Sequence, residues 1–210
     1  MTINKSKDSG NWTLRMLTLA MLLGGCAGLQ PPRVESSNIY VLEAGPIAKT
    51  ADAKRDLVLE IGAPRTRAGF DTPQMVYVRQ PYQLEYFATN RWADTPSRML
   101  GPLLAQALEQ TGGFRAVVQT ASAVPVDLRV DTELIRLQQN FGTRPSRVEL
   151  TLRAELIDVR GKRVLATRLF EEAENAPTDD AYGGVTAANL ALTRMLGQLA
   201  DFCVVESGSR

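Results

Sequence analysis

Val148-Glu149-Leu150-Thr151-Leu152-Arg153-Ala154-Glu155-Leu156 alternates apolar and polar side chains without a break. Successive side chains of a strand point to opposite faces, so a period of two makes this stretch a long β-strand with one face in a core and one in water. Upstream, Val126, Leu128 and Val130 keep the same period until Leu134-Ile135, where two apolar residues adjoin. That slip predicts a β-bulge, beyond which the opposite parity of residues faces the core. Downstream, Asp158-Val159-Arg160-Gly161-Lys162 has turn composition and leads to a strand over residues 163–171. Residues 126–171 therefore read as an antiparallel meander.

Shorter strands are expected at residues 39–42, at 57–61 with Leu57, Leu59 and Ile61 inward, and at 114–119. Residues 75–79 and 82–88 read as a hairpin whose half-buried face carries Tyr82, Leu84 and Tyr86. Thr95-Pro96 suits a helix start, with threonine as N-cap and proline at the first helical position. Met99, Leu100, Leu103, Leu104, Ala107 and Leu108 follow as one stripe that ends before Gly112-Gly113. Pro102 has no amide to bond back to residue 98, which predicts a kink or a later start near Gly101. A second helix is traced by Ala181, Val185, Ala188, Leu192, Met195, Leu199 and Phe202, its first turn weakened by Gly183-Gly184. Strands, helix, strands, helix in that order give one α+β domain over residues 39–206, a mainly antiparallel sheet with two helices packed on one face. The other face, bearing Glu149, Thr151, Arg153 and Glu155, is left to solvent or a partner.

The amino terminus has a different logic. Lys5, Lys7 and Arg15 precede an apolar core of about eight residues ending in Leu23-Gly24-Gly25-Cys26, which has the form of a lipobox. A span of the bilayer takes roughly 20 apolar residues, so this core is too short for one. Residues 1–25 thus read as a lipoprotein signal peptide, and Cys26 as the new amino terminus, acylated with palmitate-type chains. Each buried methylene contributes about 0.8 kcal/mol, so two or more chains hold a protein durably at a membrane. Residues 26–38, with Gln30-Pro31-Pro32-Arg33 and Ser36-Ser37, have linker composition and could reach at most about 40 Å. Ala27 occupies the position where an aspartate commonly retains lipoproteins at the inner membrane, which points to the outer membrane.

Composition then excludes function classes. Of 24 basic and 23 acidic residues, three and one fall in residues 1–25, leaving 21 and 22. A chain so nearly neutral, without a basic block, has no electrostatic footprint for nucleic acid. It contains no histidine, which removes Ser-His-Asp and Cys-His arrangements and the commonest zinc ligand. No glycine pair carries the lysine and hydroxyl of a phosphate loop. No catalytic residue, metal site or cofactor is expected. Glu171, Glu172 and Glu174, with Asp179 and Asp180, read as a solvated segment leading into the last helix, with carboxylate-dependent hydrolysis as a formal alternative. Cys203 reads as a small buried side chain on that helix.

Gly69-Phe70-Asp71-Thr72, Met75-Val76-Tyr77-Val78-Arg79 and Leu84-Glu85-Tyr86-Phe87 leading to Asn90-Arg91-Trp92-Ala93-Asp94-Thr95-Pro96, taken in this order, resemble the ABC-type transport auxiliary lipoproteins. The family includes the lipoprotein of the paraquat-inducible intermembrane transport system. The resemblance implies a non-enzymatic accessory of a lipid transport machine, docking an MCE-domain protein to the outer membrane at its periplasmic face. Arg91 and Trp92, at a strand-to-helix junction, are the candidate partner contacts, because arginine and tryptophan are favoured interface anchors. The plainer alternative is that Trp92 plugs the core edge while Arg91 caps a carboxylate such as Asp94. A separate expectation is a lipid carrier with an apolar pocket for phospholipid under its helices.

Overall fold

The computed structural model describes residues 37–48, 53–119 and 124–209; the signal-peptide and lipobox readings, with most of the linker, lie outside them. Nine strands are present among the described residues: β1 Asn38–Tyr40, β2 Arg55–Ile61, β3 Arg65–Thr66, β4 Gln74–Val78, β5 Glu85–Trp92, β6 Phe114–Gln119, β7 Leu128–Asn140, β8 Arg147–Asp158 and β9 Arg163–Asn175. Helix α1 spans Pro96–Gln110 and α2 spans Ala181–Glu206.

β7 organises the sheet. It pairs with β8 antiparallel from end to end, and β8 with β9 likewise, which is the expected meander. Its other edge receives β2, β3 and β4 in turn, all parallel to it. β6 extends the sheet beyond β2, while β5 and then β1 extend it beyond β4. The long ladders and the β4–β5 hairpin are antiparallel; the parallel pairings involve short strands and leave no trace in the alternation.

The expected bulge falls at Ile135, which has no partner between the pairs Leu134–Leu152 and Arg136–Thr151. Leu128, Val130 and Leu134 are buried ahead of it, and Leu137 and Gln139 beyond it, so the inward parity does change. Inward residues of β8, Val148, Leu150, Leu152, Ala154 and Leu156, are at most 2% exposed. Both helices contribute to the one core cluster, α1 through Leu100, Leu104 and Leu108, α2 through Leu192, Met195, Leu196 and Leu199. Full burial of each such side chain is worth about 1.5–3 kcal/mol relative to exposure.

Three expectations are corrected. Of the two readings of Pro102, the later start near Gly101 is the one overturned: α1 begins at Pro96 and includes Pro102, which lies on its exposed side, where water can reach the carbonyl of residue 98. The hairpin has the expected period but the other face inward: Tyr82 is fully exposed in the connecting turn, Leu84 and Tyr86 are 38% and 40% exposed, and Phe87 packs against the core. The acidic stretch is structural. Glu172 and Glu174 lie on β9, where Arg194 of α2 bonds Glu172 at 2.9 Å and Glu174 at 2.7 Å. Asp179 accepts the Ser146 amide, which draws its carboxyl below its ordinary pKa, and Asp180 caps α2 by accepting the Gly183 amide at 2.8 Å. Cys203 is a buried free thiol, its pKa driven up by burial.

Candidate functional site

The segments that carry the family resemblance converge on one corner of the sheet, around the β4–β5 hairpin. Gly69 holds φ +92°, a conformation that residues with a side chain rarely adopt, and a Cβ there would also approach Leu84 Cδ1 to 2.8 Å, so glycine suits the turn at 69–72 where it meets the segment leading into β5. Tyr86 fastens the contact by donating its hydroxyl to the Gly69 carbonyl at 3.2 Å. The Trp92 amide donates to the Pro73 carbonyl at 2.7 Å, joining the same turn to the far end of β5.

Between this hairpin and β7 lies an open cleft of about 700 Å³. Its floor is built by the bulge: Ile135 and Arg136 both line it, and Gln138 and Glu149 follow on the face away from the helices. Its walls are Arg67, Phe70 and the hairpin tip, residues 79–84. Tyr82 at the tip is wholly exposed and holds φ +68°, a region that non-glycine residues occupy at a cost of roughly 1–3 kcal/mol.

The charges of the cleft are unequal. Glu149 accepts from Asn140 at 2.9 Å, Gln138 at 3.0 Å and Arg147 at 3.2 Å, with Arg136 at 3.6 Å. Burial pushes its pKa up, but these donors and the guanidinium outweigh that and hold it below the ordinary value. Glu85 is likewise lowered, chiefly by its hydrogen bonds from Arg79, one of them 2.8 Å long. Both carboxylates are thus ionised and committed, while Arg67 makes no ion pair among the described residues. Three arginines and one glutamate line the cleft beside apolar side chains; Arg79 is paired with Glu85 and Arg136 lies beside Glu149, which leaves Arg67 as the arginine of the cleft without an ion pair among the described residues.

The two residues singled out from sequence have different places. Trp92 is 4% exposed and sits in the core with Met75, Leu137, Val148 and Ala188, beneath α2. Arg91, one residue earlier on β5, points outward and is exposed. Asp94 is engaged by Arg98, at 3.7 Å, and by the Thr95 amide. The cleft residues Arg67, Tyr82, Ile135 and Arg136 were not singled out, because three separate segments supply them. The adjoining apolar pair at Leu134-Ile135 is the signal in the sequence for the floor of the cleft.

Among the described residues no cluster of metal-ligating side chains occurs, and no helix is long and apolar enough to cross a membrane. The site that the geometry defines is an open cleft on the outer face of the sheet, assembled from the β4–β5 hairpin, the 67–70 segment and the bulge of β7. The chain belongs to the family of ABC-type transport auxiliary lipoprotein components, whose model matches residues 40–200. That makes it a membrane-associated periplasmic component of a transport system. Among solved structures it is similar to protein XCC0632 from Xanthomonas campestris, with 21% identity, TM-score 0.76, and 82% of this chain and 98% of that one covered. It is also similar to the hypothetical protein CT253 from Chlamydia trachomatis, with 9% identity, TM-score 0.54, and 74% and 100% covered. At these identities the likeness is one of fold. None of the curated proteins matches the chain in sequence.

Proposed function

We propose that the protein is held by acyl chains on Cys26 at the periplasmic face of the outer membrane and docks an MCE-domain assembly of an ABC-type intermembrane lipid transport system, without catalysing a reaction. Family membership over residues 40–200 carries this reading, and the lipobox at residues 23–26 supports it. In this reading the hairpin cleft receives an acidic segment of the MCE protein: Arg67 and Arg136 supply charge, Tyr82 an aromatic anchor, and Arg91 an outer contact on the same hairpin. Trp92 acts from beneath, fixing β5 against α2.

The carrier reading requires room for an acyl chain. Ligand pockets generally run to about 300–1,000 Å³. Under the helices, the space bounded by Leu42, Leu100, Leu134, Leu150 and Leu192 is about 0 Å³, and the space beside Trp92 about 10 Å³. Packing of this density favours docking over carriage.

Replacing the anchor cysteine, Cys26→Ala, is expected to move the protein from the membrane to the soluble periplasmic fraction, and mass spectrometry of the wild type is expected to find acyl mass on Cys26. An unmodified wild-type cysteine on a freely soluble chain would remove the anchor. For the cleft, Arg67→Glu combined with Tyr82→Ser is expected to reduce co-purification with the MCE protein from detergent extracts at least tenfold, with unfolding unchanged because both residues are exposed. Wild-type recovery of the complex would exclude the cleft.

A further inference from the structure

A second surface, at the edge of the sheet where β1 passes α2, is unlike the first. Where β1 passes α2, Ile39, Val41, Tyr182 and Leu190 are 56%, 47%, 65% and 50% exposed around a groove of about 670 Å³. A single exposed apolar side chain on a protein surface is ordinary; four that share one groove are not. The polar groups between them, Thr186, Asn189 and Thr193, are uncharged, and Glu43 is the one charged side chain among the groove's lining residues. None of the lining residues offers a cation to an acidic partner, in contrast to the cleft under the hairpin; the nearby Arg91 pairs with Ile39 across the β1–β5 ladder and lies outside the groove's lining.

The position of this surface along the chain decides its occupant. Ile39 lies 13 residues after Cys26, and at most about 3.3–3.6 Å per residue separates the two. An acyl anchor at Cys26 keeps β1 within roughly 45 Å of the headgroups, so the lipid surface reaches this groove at high effective concentration. Tyrosine beside aliphatic side chains, with a single carboxylate among uncharged neighbours, is a composition that settles at the boundary between headgroups and acyl chains.

We propose that the groove face formed by Ile39, Val41, Tyr182 and Leu190 rests on the surface of a zwitterionic bilayer, orienting the domain so that the hairpin cleft is presented away from it. This rests on the anchoring of Cys26 proposed above. The face needs only shallow burial of side chains already exposed, and no rearrangement of β1, which stays paired to β5 through Asn38–Asn90, Ile39–Arg91 and Tyr40–Trp92.

Site-directed fluorescence tests it on the full acylated chain. Cys203 is buried and Cys26 carries lipid in this reading, so an introduced surface cysteine is the one thiol open to label. Leu190→Cys and, as control, Thr167→Cys on the exposed outer side of β9 are labelled with a polarity-sensitive dye and reconstituted into phosphatidylcholine vesicles. Flotation reports the anchor; quenching by shallow spin-labelled phospholipid reports the face. The expected result is flotation of both, with quenching at position 190 at least threefold that at 167. Flotation with equal quenching overturns the face and leaves the anchor standing, and failure to float overturns both. Quenching between labelled copies at position 190, without lipid quenching, assigns the groove to a second copy of the chain and also overturns the proposal.

Discussion

Trp92→Ala is expected to lower stability by about 3–5 kcal/mol, while Arg91→Ala changes it by less than about 0.5 kcal/mol. Neighbours in sequence, the two residues occupy opposite sides of β5. Trp92 is 4% exposed and fills the junction where β4, β7, β8 and α2 meet, so its removal leaves a cavity lined by Met75, Leu137, Val148 and Ala188. Met75, Leu137 and Val148 sit on hydrogen-bonded strands and Ala188 on α2, so the space closes only in part and most of the cavity cost follows. Urea unfolding of both variants in the Cys26→Ala background measures the difference. Wild-type stability for Trp92→Ala would mean that the indole is not where the fold places it. The same pair separates roles in docking: Arg91→Ala is expected to weaken complex recovery with stability intact, whereas the effect of Trp92→Ala follows the lost fold.

Gly183→Ala is expected to cost about 3 kcal/mol and Gly197→Ala to gain up to about 1 kcal/mol, although both place alanine in the same helix. A Cβ at position 183 would stand 2.1 Å from the Thr178 carbonyl oxygen and 2.8 Å from the Thr178 amide nitrogen. That is backbone, held by the turn that leads into the Asp180 cap, and it has no room to retreat. Position 184 adds to the constraint, since a Cβ there would meet Gln139 Oε1 at 2.3 Å, and Gln139 is fixed by donating to Ser146 Oγ at 2.9 Å and the Asp180 carbonyl at 3.0 Å. At Gly197 a Cβ would meet nothing within 4 Å, so only the intrinsic preference of helices for alanine operates. Thermal unfolding of the two variants should move in opposite directions. Equal shifts would show that the amino end of α2 is not packed as described.

These glycines show how sequence reading can register a residue correctly and misjudge its purpose. Considered locally, Gly183-Gly184 only weakens a helix; in the fold the pair lets the helix amino terminus approach Thr178 and β7 more closely than any side chain permits. The acidic run has the same history. Glu172 and Glu174 look solvated until Arg194, some twenty residues on, folds back over β9 to neutralise them. In the hairpin, alternation was legible but its phase was not, because a period of two has two faces and only the packing of Phe87 against the core chooses between them.

The chain by itself determined the meander, the bulge at Ile135, both helices, the α+β class and the family, because periodicity, caps and turn residues act between neighbours and are written in consecutive positions. Tertiary structure alone decided that three short strands share one edge of β7, that Trp92 is core and Arg91 surface, and that arginines from separate segments ring one cleft. Those outcomes depend on contacts between residues tens of positions apart, where the chain's order carries no distance.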